Sequence, residues 1–431
     1  MPYDLDWIER GQTPNELTSY VLRLIVPDYA DLSFDDWFEV KFEGRYLWEW
    51  GYWNLLYRVV SPDAYSFLRD GVGYDTNVAN GNAVNLMFTA GDTSGEDHYK
   101  TLVYGYESLP RALAERYVDS HGGDLRKNHR LAAIRKVEGG YKLDFERTET
   151  RGYVTRGGGE FRSLEAENVV LAMPRRSIEL IDWAAKEEDP FLRRNLESII
   201  MQAAFKLFLG YSQPWWRALG LQAGRSLTDM PIRQSYYFGT EGEQPNSEEV
   251  GNLNSLLMSS YNDLATVPFW KGLERGAAFA GDPGNPWLGG GGPMPPGAIA
   301  PTDAVVREAH RQVTELHDQR ELPLPYTAAF MDWSEDPYGG GWHSWKAGFK
   351  YNEIMPRMRH PVEGENVYIC GAAYSSDQGW VEGALETAEQ MLTEDMGIEK
   401  HRCSKGWRHD PLKHLKHKLS QTAKGPRESD G

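Results

Sequence analysis

The chain has 431 residues, 40% hydrophobic and 12% aromatic, which is enough to bury a large core and predicts two or more domains. Its net charge of −17 argues against a nucleic-acid-binding surface. Two cysteines argue against a disulfide framework, and no run reaches the roughly 20 apolar residues of a membrane span. The first residues lack the regions of a signal peptide, so we expect a cytoplasmic protein that binds neither nucleic acid nor membrane.

Residues 1–70 are predicted to be helical and rich in aromatic side chains. Amphipathic helices are expected at 15–25 and 48–60, followed by a Gly- and Asn-rich loop at 71–85. A turn at Gly105 then leads into a helix that carries Pro110 in its first turn.

The middle of the chain changes to strands. Residues 131–137 and 141–147 are predicted strands, and Glu138-Gly139-Gly140 between them indicates a hairpin. Residues 168–173 form an apolar strand that stops at Pro174. Mixed helices and strands follow, interrupted at 278–300 by a Gly- and Pro-rich loop.

The end of the chain holds a strand, a loop with Gly371 and Gly379, and a helix, within residues 366–392. Cys370 closes the strand and is expected to be a buried thiol. Such a unit aims the free N–H groups of a helix start at an electron-rich or anionic ligand. Beyond it, the segment 400–431 has six Lys and three Arg against three acidic residues, which predicts a solvated, disordered tail rather than a metal or anion site.

Six segments carry a resemblance to a known family, and they occur in that family's order. They are residues 105–110, 129–134, 169–174, the strand 204–211 with its Pro-Trp-Trp turn, the Gly-Gly-Gly-Trp run at 339–342 and the Gly-Trp-Val-Glu-Gly-Ala run at 379–384. The chain thereby resembles the flavin-dependent amine oxidases, especially bacterial L-amino-acid oxidases and tryptophan 2-monooxygenase-like members, up to about residue 398.

The resemblance implies a mixed α/β fold with the two-domain architecture of these oxidases. Residues 1–100 would be the helical part of the substrate domain and 179–335 its main body, with a mixed sheet. Residues 101–178 and 336–398 would be segments of the FAD-binding domain, and 399–431 the basic tail. No counterpart of the family's N-terminal strand, Gly-x-Gly-x-x-Gly turn and helix is recognisable, so the FAD domain is expected to be incomplete.

The resemblance also implies the chemistry. Hydride would pass from the carbon beside an amine, in the first place the α carbon of an L-amino acid, to N5 of FAD, with O2 as electron acceptor. Lys206 would hold a water at N5, and Trp342 and Trp380 would flank the substrate amine. The flavin contacts implied are Leu131, Gly341, Gly371, Ala372, Gly379, Trp380 and Val381.

Two of these positions modify the expectation for the cofactor. Gly341 stands where some relatives carry a flavin-linked cysteine, so FAD should be bound non-covalently. Ala372 replaces an acidic residue that usually accepts a hydrogen bond near the ribityl or pyrophosphate group.

Each assigned residue also has a simpler interpretation. Lys206 could be a lysine whose amine extends from a strand to solvent, and each tryptophan could be ordinary core packing. Arg225 and Arg233 could bind a carboxylate, although structural salt bridges are the more common role. His343 could be a proton shuttle or merely a loop histidine, and Glu382 a helix-start residue. No spacing indicates a metal site.

Three hypotheses therefore remain. The chain could be one partner of a flavoenzyme whose dinucleotide-binding part is a separate subunit, an inactive fragment, or a non-catalytic binding module on the oxidase fold. An aromatic or apolar amino acid is the favoured substrate, a homo-oligomer is conceivable, and the sequence does not separate an oxidase from a monooxygenase.

Overall fold

The structure is a computed structural model that describes residues 3–92, 102, 105–151, 154–244, 247–281 and 300–399. Most of the predicted loop at 278–300, and the predicted basic tail from residue 400, lie outside the described residues. Within the described ranges, no helix combines the length and apolar character that crossing a membrane requires.

The fold mixes helices and sheets, as predicted. The α-helices are α1 (Pro14–Ile25), α2 (Tyr52–Val59), α3 (Pro62–Val72), α4 (Ala83–Asp92), α5 (Ser108–His121), α6 (Arg175–Glu179), α7 (Ala185–Glu188), α8 (Pro190–Asn195), α9 (Val267–Lys271), α10 (Asp303–Leu316), α11 (Tyr351–Met358) and α12 (Val381–Gln390). The strands are β1 (Lys41–Phe42), β2 (Arg45–Tyr46), β3 (His129–Val137), β4 (Gly140–Arg151), β5 (Val154–Ala166), β6 (Val169–Ala172), β7 (Asp182–Trp183), β8 (Ile199–Gln202), β9 (Ala204–Tyr211), β10 (Gly224–Leu227), β11 (Gln234–Thr240), β12 (Ser255–Asp263), β13 (Thr327–Asp332), β14 (Trp342–Trp345) and β15 (Val367–Cys370).

The N-terminal helices begin where their caps and packing allow. A capping box between Thr13 and Glu16 starts α1, which confirms the helix predicted at 15–25. The helix predicted at 48–60 is shorter, because α2 begins only after Gly51. A side chain at Gly51 would collide with Asn80, and the N–H of Tyr52 donates to the carbonyl of Gly81, so this turn is fixed by a tertiary contact.

The predicted hairpin is confirmed as β3 and β4, with Val137 opposite Gly140. The third strand, β5, pairs with β4 and was not predicted, because it contains three consecutive glycines at 157–159. Glu146 of β4 occupies the space that a side chain at Gly157 would need. Glycine at position 157 therefore leaves room for the Glu146 side chain of the neighbouring strand.

The predicted apolar strands near 169 and 367 form a parallel pair. Val169 of β6 lies opposite Val367 of β15, and all four residues of β15 are buried, including Cys370 as predicted. The carboxyl ends of both strands meet at Gly371, where the chain turns towards α12.

A five-stranded antiparallel sheet, in the order β10-β11-β12-β9-β13, carries the rest of the site. Phe205, Leu207 and Leu209 of β9 are fully buried in one core cluster with Val305 and Ala309 of α10. Successive side chains of a strand point to opposite faces, so Lys206 projects from the face of the sheet away from that core.

Candidate active site around Lys206 and Trp342

Lys206 lies in the middle of β9, opposite Tyr261 of β12 and Met331 of β13. Its Nζ is 4.2 Å from the centroid of the Tyr261 ring and 5.8 Å from that of Trp333. Burial lowers the pKa of the Lys206 amine, and among the described residues no carboxylate pairs with it. An amine kept among aromatic rings without an acidic partner is more typical of a functional lysine than of one that reaches into solvent.

Trp342 belongs to the same aromatic cluster. Its ring centroid is 5.0 Å from that of Tyr74 and 6.2 Å from that of Tyr261, and the two tyrosine rings are 5.1 Å apart in an edge-on arrangement. Burial raises the pKa of Tyr261 to about 12, so the ring is neutral at physiological pH. The structure thus brings Lys206 and Trp342 together, with Tyr261 between them.

Trp342 also starts β14, opposite Gln202 of β8, instead of lying in a loop. The neighbouring Gly341 donates its N–H to the carbonyl of Gln202 at 2.8 Å. A side chain at Gly341 would come within 2.5 Å of the Ala204 side chain at the start of β9. Glycine at 341 therefore lets this segment approach the lysine strand closely.

The phenol of Tyr74 connects the cluster to Arg225. The hydroxyls of Tyr74 and Tyr236 are 3.4 Å apart, and Tyr236 donates to Oε1 of Gln234 at 2.9 Å. Arg225 is exposed, and its Nη1 donates to the same Gln234 oxygen at 3.1 Å. Its guanidinium stands at the outer rim of the aromatic cluster, and its role towards a carboxylate stays a prediction.

Arg233 has the structural role that the sequence favoured. It is buried, with Nη1 3.5 Å from a carboxylate oxygen of Asp70 and Nη2 3.4 Å from one of Asp75. It also donates to the carbonyls of Thr228 and Arg69. These contacts hold the guanidinium in an ion-pair network of the fold.

Asp263, at the end of β12, is a site residue that the sequence did not reveal. Its carboxylate accepts from the backbone N–H groups of Asp75 and Thr76, both at 2.9 Å, and from the Thr76 hydroxyl at 2.7 Å. The Thr76 oxygen in turn accepts from the Trp342 indole at 3.2 Å. Tyr74, Thr76, Tyr261 and Asp263 stand in no recognisable motif, and only tertiary structure brings them to Trp342.

The residues predicted at the flavin end surround the start of α12. Gly371 has φ +126°, donates its N–H to the Thr387 hydroxyl at 2.9 Å, and has no other atom closer than 4.0 Å to the position of an added Cβ. Ala372 and Val381 are half-buried. A Cβ at Gly379 would lie 3.5 Å from the Trp342 Cβ, so this loop contacts the aromatic cluster.

Trp380 immediately precedes α12, and no side chain caps that helix start. The residue is 65% exposed. Trp380 follows Gly379, which contacts the aromatic cluster, but Trp380 itself is not buried in that cluster. The open space at Gly371 and the uncapped N–H groups fit the electron-rich end of a flavin.

Leu131 lies in a different sheet from Lys206, and His343 follows Trp342 on β14. Leu131 is half-buried on β3, opposite Phe145. Burial lowers the pKa of His343 to about 4, so its imidazole is neutral at physiological pH. In the described part of the chain, no three His, Cys, Asp or Glu side chains are grouped so as to hold a metal ion.

The sequence profile described as "Flavin containing amine oxidoreductase" matches residues 54–391, well over half of the chain. The chain belongs to this family.

Similar proteins agree with the assignment. Aplysianin-A of Aplysia kurodai is 27% identical over 94% of this chain and 72% of its own length. Achacin of Lissachatina fulica is 23% identical over 91% of this chain and 72% of its own length. An L-amino-acid oxidase of Mus musculus is 24% identical over 67% of this chain and 38% of its own length.

Solved structures show the fold. A single mutant of putrescine oxidase, redesigned in its cofactor binding, superposes with a TM-score of 0.58 at 14% identity, covering 89% of this chain and 76% of that one. A triple mutant of the same enzyme gives a TM-score of 0.59 at 15% identity and the same coverage. The predicted amine-oxidase fold is thereby confirmed.

Proposed function

We propose that the chain oxidises an amine, in the first place an L-amino acid, using non-covalently bound FAD and O2. Family membership supports the reaction class, and the relatives of similar sequence that are named L-amino-acid oxidases support the substrate class. Bound FAD would supply the two-electron chemistry, accepting a hydride from the substrate's α carbon and returning two electrons to O2 as hydrogen peroxide, and water would hydrolyse the resulting imine to an oxo acid and ammonia.

The observation that carries the proposal is the setting of Lys206. A partly buried ammonium without a carboxylate partner among the described residues, 4.2 Å from the Tyr261 ring, can orient a water by hydrogen bonding. Its positive charge, poorly screened among aromatic rings, would stabilise negative charge that develops on oxygen. Lys206 therefore acts in the reaction of the reduced cofactor with O2.

The aromatic rings have a second part in the proposal. Trp342, Tyr74 and Tyr261 pack against one another beside Lys206, and their π faces would attract a protonated substrate amine and suit an apolar or aromatic side chain. The Arg225 guanidinium at the rim is the candidate to pair with a substrate carboxylate. Trp380 is proposed as the second aromatic wall, closing on substrate from its exposed position.

The pyrophosphate of FAD needs a dinucleotide-binding unit, and two surfaces of the chain are candidates for the place where that unit packs. None of the described side chains of α5 is buried, which leaves Leu113, Tyr117 and Val118 exposed. Among the described strands, β6 and β15 pair only with each other, so the outer edge of each offers unpaired N–H and C=O groups to a further strand. We propose that a strand, Gly-x-Gly-x-x-Gly turn and helix from outside the described residues completes the FAD site here, on a separate subunit or on the same polypeptide.

The test of the proposal is Lys206→Met, studied by rapid mixing in the flavin-loaded protein. Reoxidation of reduced flavin by O2 should slow by roughly 100-fold, the effect of losing one preorganised electrostatic group, whereas reduction by substrate should change much less. Lys136→Met is the matched control, because that lysine is exposed on β3 and ion-paired with Glu365, outside the aromatic cluster. Equal slowing of both half-reactions would show that Lys206 is only structural.

The second candidate is a non-catalytic binding module, and Ala372 favours it by lacking an acceptor for the cofactor. Peroxide and ammonia release from L-amino acids, with flavin absorbance on the same sample, separates the two. Bound flavin without turnover supports the module, and an amide product instead of an oxo acid would indicate a monooxygenase. A cytoplasmic location and a homo-oligomeric state stay predictions.

A further inference from the structure

The Asp263 carboxylate is fully buried and lies where three segments of the aromatic site meet. It accepts two backbone N–H groups, from Asp75 and Thr76, and the Thr76 hydroxyl. Asp263 is two residues beyond Tyr261 on β12, and Thr76 is two residues beyond Tyr74. The carboxylate therefore fixes the segments that carry both tyrosines of the cluster.

The hydrogen bonds between Trp342 and Asp263 have a defined direction. An ionised carboxylate can only accept, and an indole N–H can only donate. The Thr76 hydroxyl must then give its proton to Asp263 and offer a lone pair to Nε1 of Trp342, at 2.7 and 3.2 Å. While the carboxylate is ionised, the two hydrogen bonds that link Trp342, Thr76 and Asp263 can have only these donors and acceptors.

The Trp342 ring has few other directional contacts. Its neighbours Tyr74 and Tyr261 meet it by ring contacts at 5.0 and 6.2 Å, which tolerate tilt and rotation. The hydrogen bond that Nε1 donates to Thr76 restricts rotation of the ring about the Cβ–Cγ bond, because that nitrogen lies at one edge of the indole. We propose that Thr76 and Asp263 are positioning residues that hold the Trp342 ring at the substrate site beside Lys206, an inference that rests on the proposed function.

The charges around Asp263 act in opposite directions. Asp75 is the neighbouring acid and disfavours ionisation of Asp263, although the Asp75 side chain itself faces Arg233. Lys206 extends from β9, the strand paired with β12. Burial raises the pKa of Asp263 to about 6, against which the Thr76 hydrogen bonds act, so the carboxylate is ionised at neutral pH. The acceptor that the Thr76 hydroxyl needs is therefore present under physiological conditions.

The experiment compares Thr76→Val, which keeps the shape but loses the hydroxyl, with Thr76→Ser, which keeps the hydroxyl. The protein is labelled with 15N-tryptophan, and the indole signal of Trp342 is assigned by its absence in Trp342→Phe. Thr18→Val is the matched control, because it removes a hydroxyl that bonds only to a helix carbonyl, that of Pro14.

In Thr76→Val, solvent exchange of the Trp342 indole N–H should accelerate, and the KM for substrate should rise roughly threefold to tenfold, the effect of one hydrogen bond, with little change in kcat. Thr76→Ser should restore both values towards those of the wild type. In the double variant Thr76→Val with Trp342→Phe, the KM should rise no more than in the single variant with the larger effect, because both substitutions remove the same contact.

Identical exchange in Thr76→Val and Thr76→Ser would overturn the positioning role. So would a KM that rises equally in Thr76→Val and Thr18→Val. The indole signal is measured without turnover, so a protein that never oxidises an amine refutes the proposed function while the exchange still decides whether Thr76 holds Trp342. If Thr76→Val does not fold, Thr76→Ala, which also removes the hydroxyl, replaces it in both the exchange and the KM comparison with Thr76→Ser.

Discussion

Replacing Asp263 by asparagine should change how the stability of the protein depends on pH. The side chain is 0% exposed, and its pKa is raised from 3.8 to about 6. Burial is the main cause, because the low polarity around the group disfavours the ionised form more than the hydrogen bonds of Thr76 favour it. Asparagine has nearly the same shape but does not titrate.

The direction and size follow from proton linkage. Between pH 3.8 and about 6, the native state keeps a proton that the unfolded chain has already released, so the stability due to this group falls as pH rises. A shift of about two pKa units at about 1.4 kcal/mol each corresponds to about 2–3 kcal/mol lost between pH 4 and pH 7. Relative to wild type, Asp263→Asn should therefore become more stable by that amount over this range.

The assay is urea unfolding of both proteins at a series of pH values from 4 to 7, with the difference in unfolding free energy plotted against pH. A part of the free-energy difference that stays the same at all pH values reports the altered hydrogen bonding of the amide. Only the change of the difference with pH reports the titration of Asp263. Other titrating groups affect both proteins alike, except Asp75, whose pKa should fall slightly once the neighbouring charge is gone. Parallel curves for the two proteins would refute the reasoning that burial dominates at Asp263.

Three other substitutions test separate parts of the site. Arg233→Met should destabilise the protein by about 3–5 kcal/mol in urea unfolding, because it leaves the carboxylates of Asp70 and Asp75 without their buried cation. Trp380→Ala should change unfolding free energy by less than about 0.5 kcal/mol while raising the KM for substrate, since the ring is exposed, and an unchanged KM would remove Trp380 from the site. Gly371→Ala meets no atom but has φ +126°, so about 1–3 kcal/mol of strain should appear as lost stability or weaker flavin binding in a titration.

The parts of the site that could be predicted from sequence are local. Side chains alternate between the two faces of a strand, and Phe205 and Leu207 are buried in the core. The sequence of this one strand is therefore enough to predict that Lys206 faces away from the core. The family resemblance assigns Gly379 to the flavin contacts and Trp342 to the substrate amine, but it does not predict that the two residues touch. Their contact became visible when the structure showed how closely the glycine approaches the ring.

The remaining parts depend on pairings between distant segments. Thr76 and Asp263 are separated by 187 positions, and neither lies in a motif. The helix predicted at 48–60 begins late, after Gly51, for a similar reason, because the Asn80 side chain occupies the space beside that glycine. In both cases the deciding neighbour comes from another part of the chain, and no local pattern contains that information.

The contacts among Tyr74, Lys206, Tyr261 and Trp342 also constrain when the site can form. These four residues come from the early, middle and late parts of the sequence, so none of their contacts is available to a chain that has folded only locally. Closing such distant contacts is slow compared with forming helices, and a ribosome releases Trp342 long after Tyr74. The candidate site should therefore form last in folding, so a partly synthesised chain would carry a buried core before the aromatic cluster around Lys206 is assembled.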